Sequence, residues 1–77
     1  MPKLPAVKPR LLIRFLEANG FVLDHVSGSH FIYRHPISRR RAVVPQHNRD
    51  IPAGTLLAIL RESGFSREDF LKFLTGD

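Results

Sequence analysis

Between Asn19-Gly20 and Pro45 the chain has room for three β-rich segments and almost nothing to join them with. Residues 21–26 end at Ser27-Gly28-Ser29, residues 30–35 end at Pro36-Ile37-Ser38, and residues 40–44 are stopped by Pro45. A parallel crossover needs a dozen or more residues, so connections this short predict hairpins and an antiparallel meander. Alternation along the strands then points Ala42 and Val44 into a core and Arg41 and Val43 away from it. In the middle segment Phe31 and Tyr33 are placed inward, which sends His30, Ile32 and Arg34 to the opposite face. Tyr33, sharing parity with Phe31, reads as core rather than as a stacking platform for bases.

Helical periodicity flanks this sheet. From Lys8, with Pro9 suited to a first turn, Leu11, Leu12, Phe15 and Leu16 share one face, while Arg10, Arg14 and Glu17 meet solvent. Asn19-Gly20 ends that helix. Asp50 is placed to cap a second helix carrying Leu56, Ile59 and Leu60, closed by Ser63-Gly64. Ser66 and Asp69 form a capping-box pattern for a third, with Phe70, Leu71, Phe73 and Leu74 as its apolar stripe and Thr75-Gly76 as its end. The expected fold is α+β in the order α-β-β-β-α-α: one domain over 1–77, with a Pro-rich arm at 1–7 and the helices covering one face of a three-stranded antiparallel sheet. A sheet covered on one side leaves its other face free for a ligand.

Charge says what kind of ligand. Twelve Lys and Arg against seven Asp and Glu give +5, and the excess is confined to one part of the chain. Residues 1–49 hold nine basic and two acidic side chains, net +7, whereas residues 50–77 hold three and five, net −2. A basic segment of this kind favours an anionic partner. The phosphate contacts are assigned to Lys8, Arg10, Arg14, Arg34, Arg39, Arg40, Arg41 and Arg49, with Ser29 as a hydroxyl donor. Arginine's forked guanidinium matches phosphate oxygens, and three in a row ensure that some face the ligand.

There is no cysteine, which removes thiol catalysis and thiolate metal sites. Of the four histidines, His25, His30 and His35 stand five apart, a spacing that does not converge on one ion from strands, so neither a metal nor another cofactor is expected. His25 and His35 read as strand-end or loop residues. His30 differs: it follows Gly28-Ser29 directly and opens a strand, so the turn can present its ring at the sheet margin. Among the guanidiniums of Arg34 and Arg39–Arg41 such an imidazole could take the proton of a ribose 2′-hydroxyl while the cations stabilise the charge growing on phosphorus. His47, in the loop after Val44-Pro45-Gln46, is a candidate to assist as acid or to bind phosphate. No stretch approaches a membrane span and three prolines break the first ten residues where a signal sequence would lie, which predicts the cytoplasm.

Three ordered motifs carry a family resemblance. Gly28-Ser29-His30 with Tyr33, then Val44-Pro45 with His47, then Ile51-Pro52-Ala53-Gly54-Thr55-Leu56 and Ile59-Leu60-Arg61-Glu62-Ser63-Gly64, together resemble the HicA family of RNA-cleaving toxins from toxin–antitoxin modules. The resemblance covers about residues 8 to 64. It implies a double-stranded-RNA-binding-domain-like fold with an extra C-terminal helix here, ribosome-independent cleavage of mRNA, and inhibition by a HicB antitoxin that covers the active face. It also implies that His30 is the catalytic histidine. Ala53 and Leu57 depart from the family, many of whose members carry Lys or Arg there. Single-stranded message is the expected substrate, because in-line attack by a 2′-hydroxyl needs a backbone more flexible than an A-form duplex. A non-catalytic RNA- or DNA-binding module on the same basic surface is the alternative.

Overall fold

The computed structural model describes residues 3–46 and 49–76. Three helices and three strands follow in the order expected: α1 (Pro9–Ala18), β1 (Val22–Ser27), β2 (His30–Arg34), β3 (Arg41–Pro45), α2 (Ala53–Ser63) and α3 (Arg67–Thr75). The strands form one antiparallel sheet in the order β1-β2-β3, so the fold is the α+β meander that the short connections require.

Helices α1 and α2 turn their predicted stripes to the core, Leu11 only partly buried, whereas in α3 only Phe70 is buried and Leu71, Phe73 and Leu74 pack half-buried against the core. Pro9, Leu12, Phe15 and Leu16 are buried in α1, and Leu56, Ile59 and Leu60 in α2. Helix α3 begins with the predicted capping box: Ser66 Oγ accepts from the Asp69 N–H at 3.1 Å, and Asp69 Oδ2 accepts from the Ser66 N–H at 2.8 Å. The expected cap of α2 is not made. Pro52 holds the N-cap position with no side-chain cap, and Asp50 instead pairs with Lys8 Nζ at 3.1 Å. The reason is spacing: Ile51 is drawn into a two-residue bridge with Val7, its N–H donating to the Val7 carbonyl at 2.6 Å, which leaves Asp50 two residues too early to cap. The same bridge anchors the N-terminal arm, where Leu4 and Val7 are buried.

Helices α1 and α2 both lie over β3. Their apolar stripes meet the inward side chains Tyr33, Ala42 and Val44, each almost wholly buried, as the parity argument requires. Burial, with a smaller push from Glu17, raises the Tyr33 hydroxyl above its ordinary pKa. Strand β1 is the uncovered edge. All six of its residues are exposed, including Val22, Leu23 and Val26. The far end of the core is aromatic: the Phe15 ring takes edge-on contacts from Phe65, Phe70 and Phe73 at 4.7, 5.1 and 5.3 Å between centroids. Such contacts stabilise beyond the area they bury, and they tie α3 to α1.

Phe70 is the anchor of that cluster and is fully buried. Phe70→Ala is expected to cost about 3–5 kcal/mol, a large fraction of the stability of so short a chain. Urea denaturation of the two proteins reads this directly as a shift in midpoint.

Candidate functional site

The free face of the sheet carries the side chains that the helices do not meet. Across the register these are Val22, Arg34 and Arg41 at one end and Ser27, His30 and Pro45 at the other, with His25, Ile32 and Val43 between. Ile32 is only 7% exposed although no helix covers it and it lies outside the main core. The side chains around it on this face close over it, making a small apolar floor between a guanidinium end and an imidazole end.

His30 occupies the position that the Gly-Ser turn predicts. Ser27 pairs with His30, so Gly28 and Ser29 form a two-residue hairpin loop. Gly28 has φ +58°, and Ser29 is not among the residues with positive φ, the pattern of a type II′ turn. A Cβ added at Gly28 would meet nothing within 4 Å, so glycine is required here by backbone conformation alone. The Ser29 carbonyl accepts from the Gln46 N–H at 2.6 Å, which pins the turn to the end of β3 and leaves the Ser29 side chain exposed. His30 is exposed as well. It can be reached by a polymer lying along the sheet.

The guanidiniums are elsewhere. Arg34 is four residues along β2 from His30, about 13 Å at ~3.3 Å per residue, and it pairs with Arg41 at that far end. Arg39 and Arg40 lie in the turn beyond, so the expected grouping of Arg34 and Arg39–Arg41 around His30 is not made. A hairpin puts residues close to the turn, not residues close in sequence, at one end of the ladder. These arginines are also engaged. Arg34 Nη1 donates to the Arg39 carbonyl at 3.4 Å, Arg41 pairs with Glu62 at 3.5 Å, and Arg40 lies so close over Gly64 that a Cβ there would sit 2.7 Å from its Cδ. Lys8 pairs with Asp50 beside the Val7–Ile51 bridge, and Arg49 is exposed. Arg10 and Arg14 are exposed on α1, where with Lys8 and Leu11 they line a shallow depression of about 370 Å³. His47 lies outside the described residues.

The other histidines separate clearly. His35 is consumed by the β2–β3 turn, its Nδ1 accepting from the N–H groups of Ile37 and Ser38, both at 3.1 Å. Its ring also packs edge-on against Phe21 at 5.3 Å and fills the space above Gly20. That is a structural role, as expected. His25 departs from the strand-end reading. It stands inside β1 beside a β-bulge, with its Nδ1 2.7 Å from Asp24 Oδ2. The adjacent Asp24-His25 pair is visible in the sequence, and the two-residue turn, by alternation back from Ser27, puts His25 on the face of His30.

With this geometry in place the family can be stated. A match to the HicA toxins of bacterial toxin–antitoxin modules spans residues 10–65 of the 77. The chain belongs to the HicA toxin family. The match includes α1, the whole sheet and α2, and stops before α3. No curated protein matched the chain. Membership makes it a toxin whose counterpart is an antitoxin, and among the described residues no helix is long and apolar enough to cross a membrane.

Placing His30 on the open face depends on the II′ turn. Gly28→Ala is therefore expected to destabilise the protein by about 1–2 kcal/mol, the cost of a left-handed backbone for an L-residue, although the new methyl meets no atom. Thermal melting should show the loss, and Ser29→Ala should not reproduce it.

Proposed function

We propose that this HicA toxin is an endoribonuclease that cleaves single-stranded mRNA in the cytoplasm without a metal ion, and that a HicB-like antitoxin neutralises it by covering the free face of the sheet. The observation that carries the reading is His30: an exposed imidazole, on the one sheet face with no helix over it, at the turn motif that the family resemblance assigns to catalysis. The ring accepts the proton of the ribose 2′-hydroxyl as O2′ attacks the adjacent phosphorus. The P–O5′ bond then breaks to leave a 2′,3′-cyclic phosphate and a 5′-hydroxyl. Because no deep pocket is needed, a domain of this size suffices.

The far-end arginines act in binding rather than chemistry. At about 13 Å from His30 they are too distant to stabilise charge on the scissile phosphate and well placed to hold a phosphate further along the strand. The half-buried Val43 lies between, where it can meet a base, while Ile32 stays buried beside it. Lys8, Arg10 and Arg14 form a separate positive patch on α1 that can hold a phosphate elsewhere on the strand, and Arg49 adds a further exposed cation, with Ser29 beside His30 available to a phosphate oxygen. Bound this way, an RNA strand would run along β2.

Two measurements test the assignment. His30→Ala should lower RNA cleavage by at least about 100-fold and abolish growth arrest, while RNA affinity changes by no more than a few-fold and cleavage by the parent protein persists in excess EDTA. Cleavage by the variant at the parent rate would remove His30 from the site, and cleavage lost with binding intact in both proteins would identify a binding module. Separately, Arg34→Gln with Arg39→Gln should weaken binding to all RNA sequences alike. It should also reduce the slope of log affinity against log salt by about 1.4, at ~0.7 per phosphate contact on single strands. An unchanged slope would show that the strand does not pass that end.

A further inference from the structure

Strand β1 carries a second imidazole on the same face as His30, and the register set by the Gly28-Ser29 turn puts it there. Leu23 is opposite Tyr33, but His25, not Asp24, is opposite Ile32. Counted back from the turn, Ser27, Val26 and His25 pair in unbroken order with His30, Phe31 and Ile32, and the bulge lies beyond them, between His25 and Leu23. Alternation from Ser27 therefore sets His25 with Ile32 and His30 on the free face. Since Ser27 is opposite His30, His25 is the diagonal neighbour of His30, a relation that separates Cα atoms by about 7–8 Å and lies within reach of long and aromatic side chains.

We propose that His25 is the general acid of the cleavage, protonating the departing 5′-oxygen while His30 deprotonates the 2′-hydroxyl, and that Asp24 is its positioning residue. This rests on the endoribonuclease reading given above. In-line displacement puts the entering and leaving oxygens on opposite sides of phosphorus, so acid and base must be separate groups that flank the phosphate rather than touch each other. The diagonal pair meets that requirement, with Ile32 as the floor beneath it. Asp24 Oδ2, 2.7 Å from His25 Nδ1, accepts the Nδ1 proton and so turns Nε2 outward as the donor. More than half of the His25 side-chain surface is open to solvent (56%), so a strand bound over His30 can reach it. The step balances without a co-reactant. The O2′ proton passes to His30, the O2′–P bond forms, the P–O5′ bond breaks, and O5′ takes the Nε2 proton of His25. The two rings exchange protonation states and are reset by solvent.

The test uses the full chain and two substrates: an ordinary oligoribonucleotide, and the same sequence with sulfur bridging at the 5′ position of the cleaved linkage. Sulfur departs as a thiolate and needs no proton. His25→Ala should slow cleavage of the ordinary strand by about 100- to 10,000-fold yet cut the sulfur-linked strand within a few-fold of the parent. His25→Gln, which keeps a polar partner for Asp24, should behave likewise, and Asp24→Asn should show a smaller loss in the same direction. His30→Ala should lose both substrates. Full activity of His25→Ala and His25→Gln on ordinary RNA overturns the proposal, as does an equal loss on both substrates, which would mark a structural role. A parent protein inert on both substrates overturns the endoribonuclease reading itself, and the acid role with it.

Discussion

A three-stranded sheet sealed on one side is the constraint from which the rest follows. Two short helices are enough to cover β3 and the inner half of β2, and no more. The opposite face has nothing to bury it, so it must tolerate water, and the side chains of alternate residues there are set out in a grid about 5 Å wide between strands. What the protein can do depends on which residues the alternation delivers to that grid. In this chain they are two imidazoles, an apolar floor and a pair of guanidiniums.

Two local devices decide the occupancy of the grid. The II′ turn at Gly28 brings His30 to the start of β2 in register with Ser27 and Pro45, and the hydrogen bond from Gln46 to Ser29 locks it there. The unbroken alternation of β1 back from that turn sets His25 opposite Ile32 on the same side, short of the bulge between His25 and Leu23. Neither device contributes much to the core, whose weight lies in Leu12, Leu16, Leu56, Leu60 and Phe70. Stability and site are thus built by different residues on opposite faces, which lets the site carry exposed titratable groups without a desolvation cost.

Separation of the arginines from His30 changes how the positive charge is to be understood. Guanidiniums packed beside the imidazole would act on the reacting phosphate. Set at the other end of β2, and tied to Glu62, to the Arg39 carbonyl and against Gly64, they are fixed points along a track. Ordered cations of this kind suit a polymer with evenly spaced charges better than they suit a single small anion. The basic surface of α1 then sits on a different side of the molecule, where its shallow depression is open to solvent.

Much of this was legible from residue order. Spacers too short for a crossover dictated the meander, apolar periodicity identified the helix faces, and the glycine before Ser29 announced a turn that would expose His30, because each of these is set by interactions between residues close in the chain. The capping box of α3 is of the same kind. Other features were decided only by the folded chain. Asp50 lost its cap because Val7 took Ile51, forty-four positions later in the chain, into a bridge. The arginines parted from His30 because strand pairing measures distance along a ladder, not along the sequence. Val22 and Leu23 pair one residue out of step with His25 because a bulge intervenes, an event that depends on how two strands twist against each other and has no local signature. Composition and spacing determine which faces exist; only the pairing of distant segments determines what meets on them.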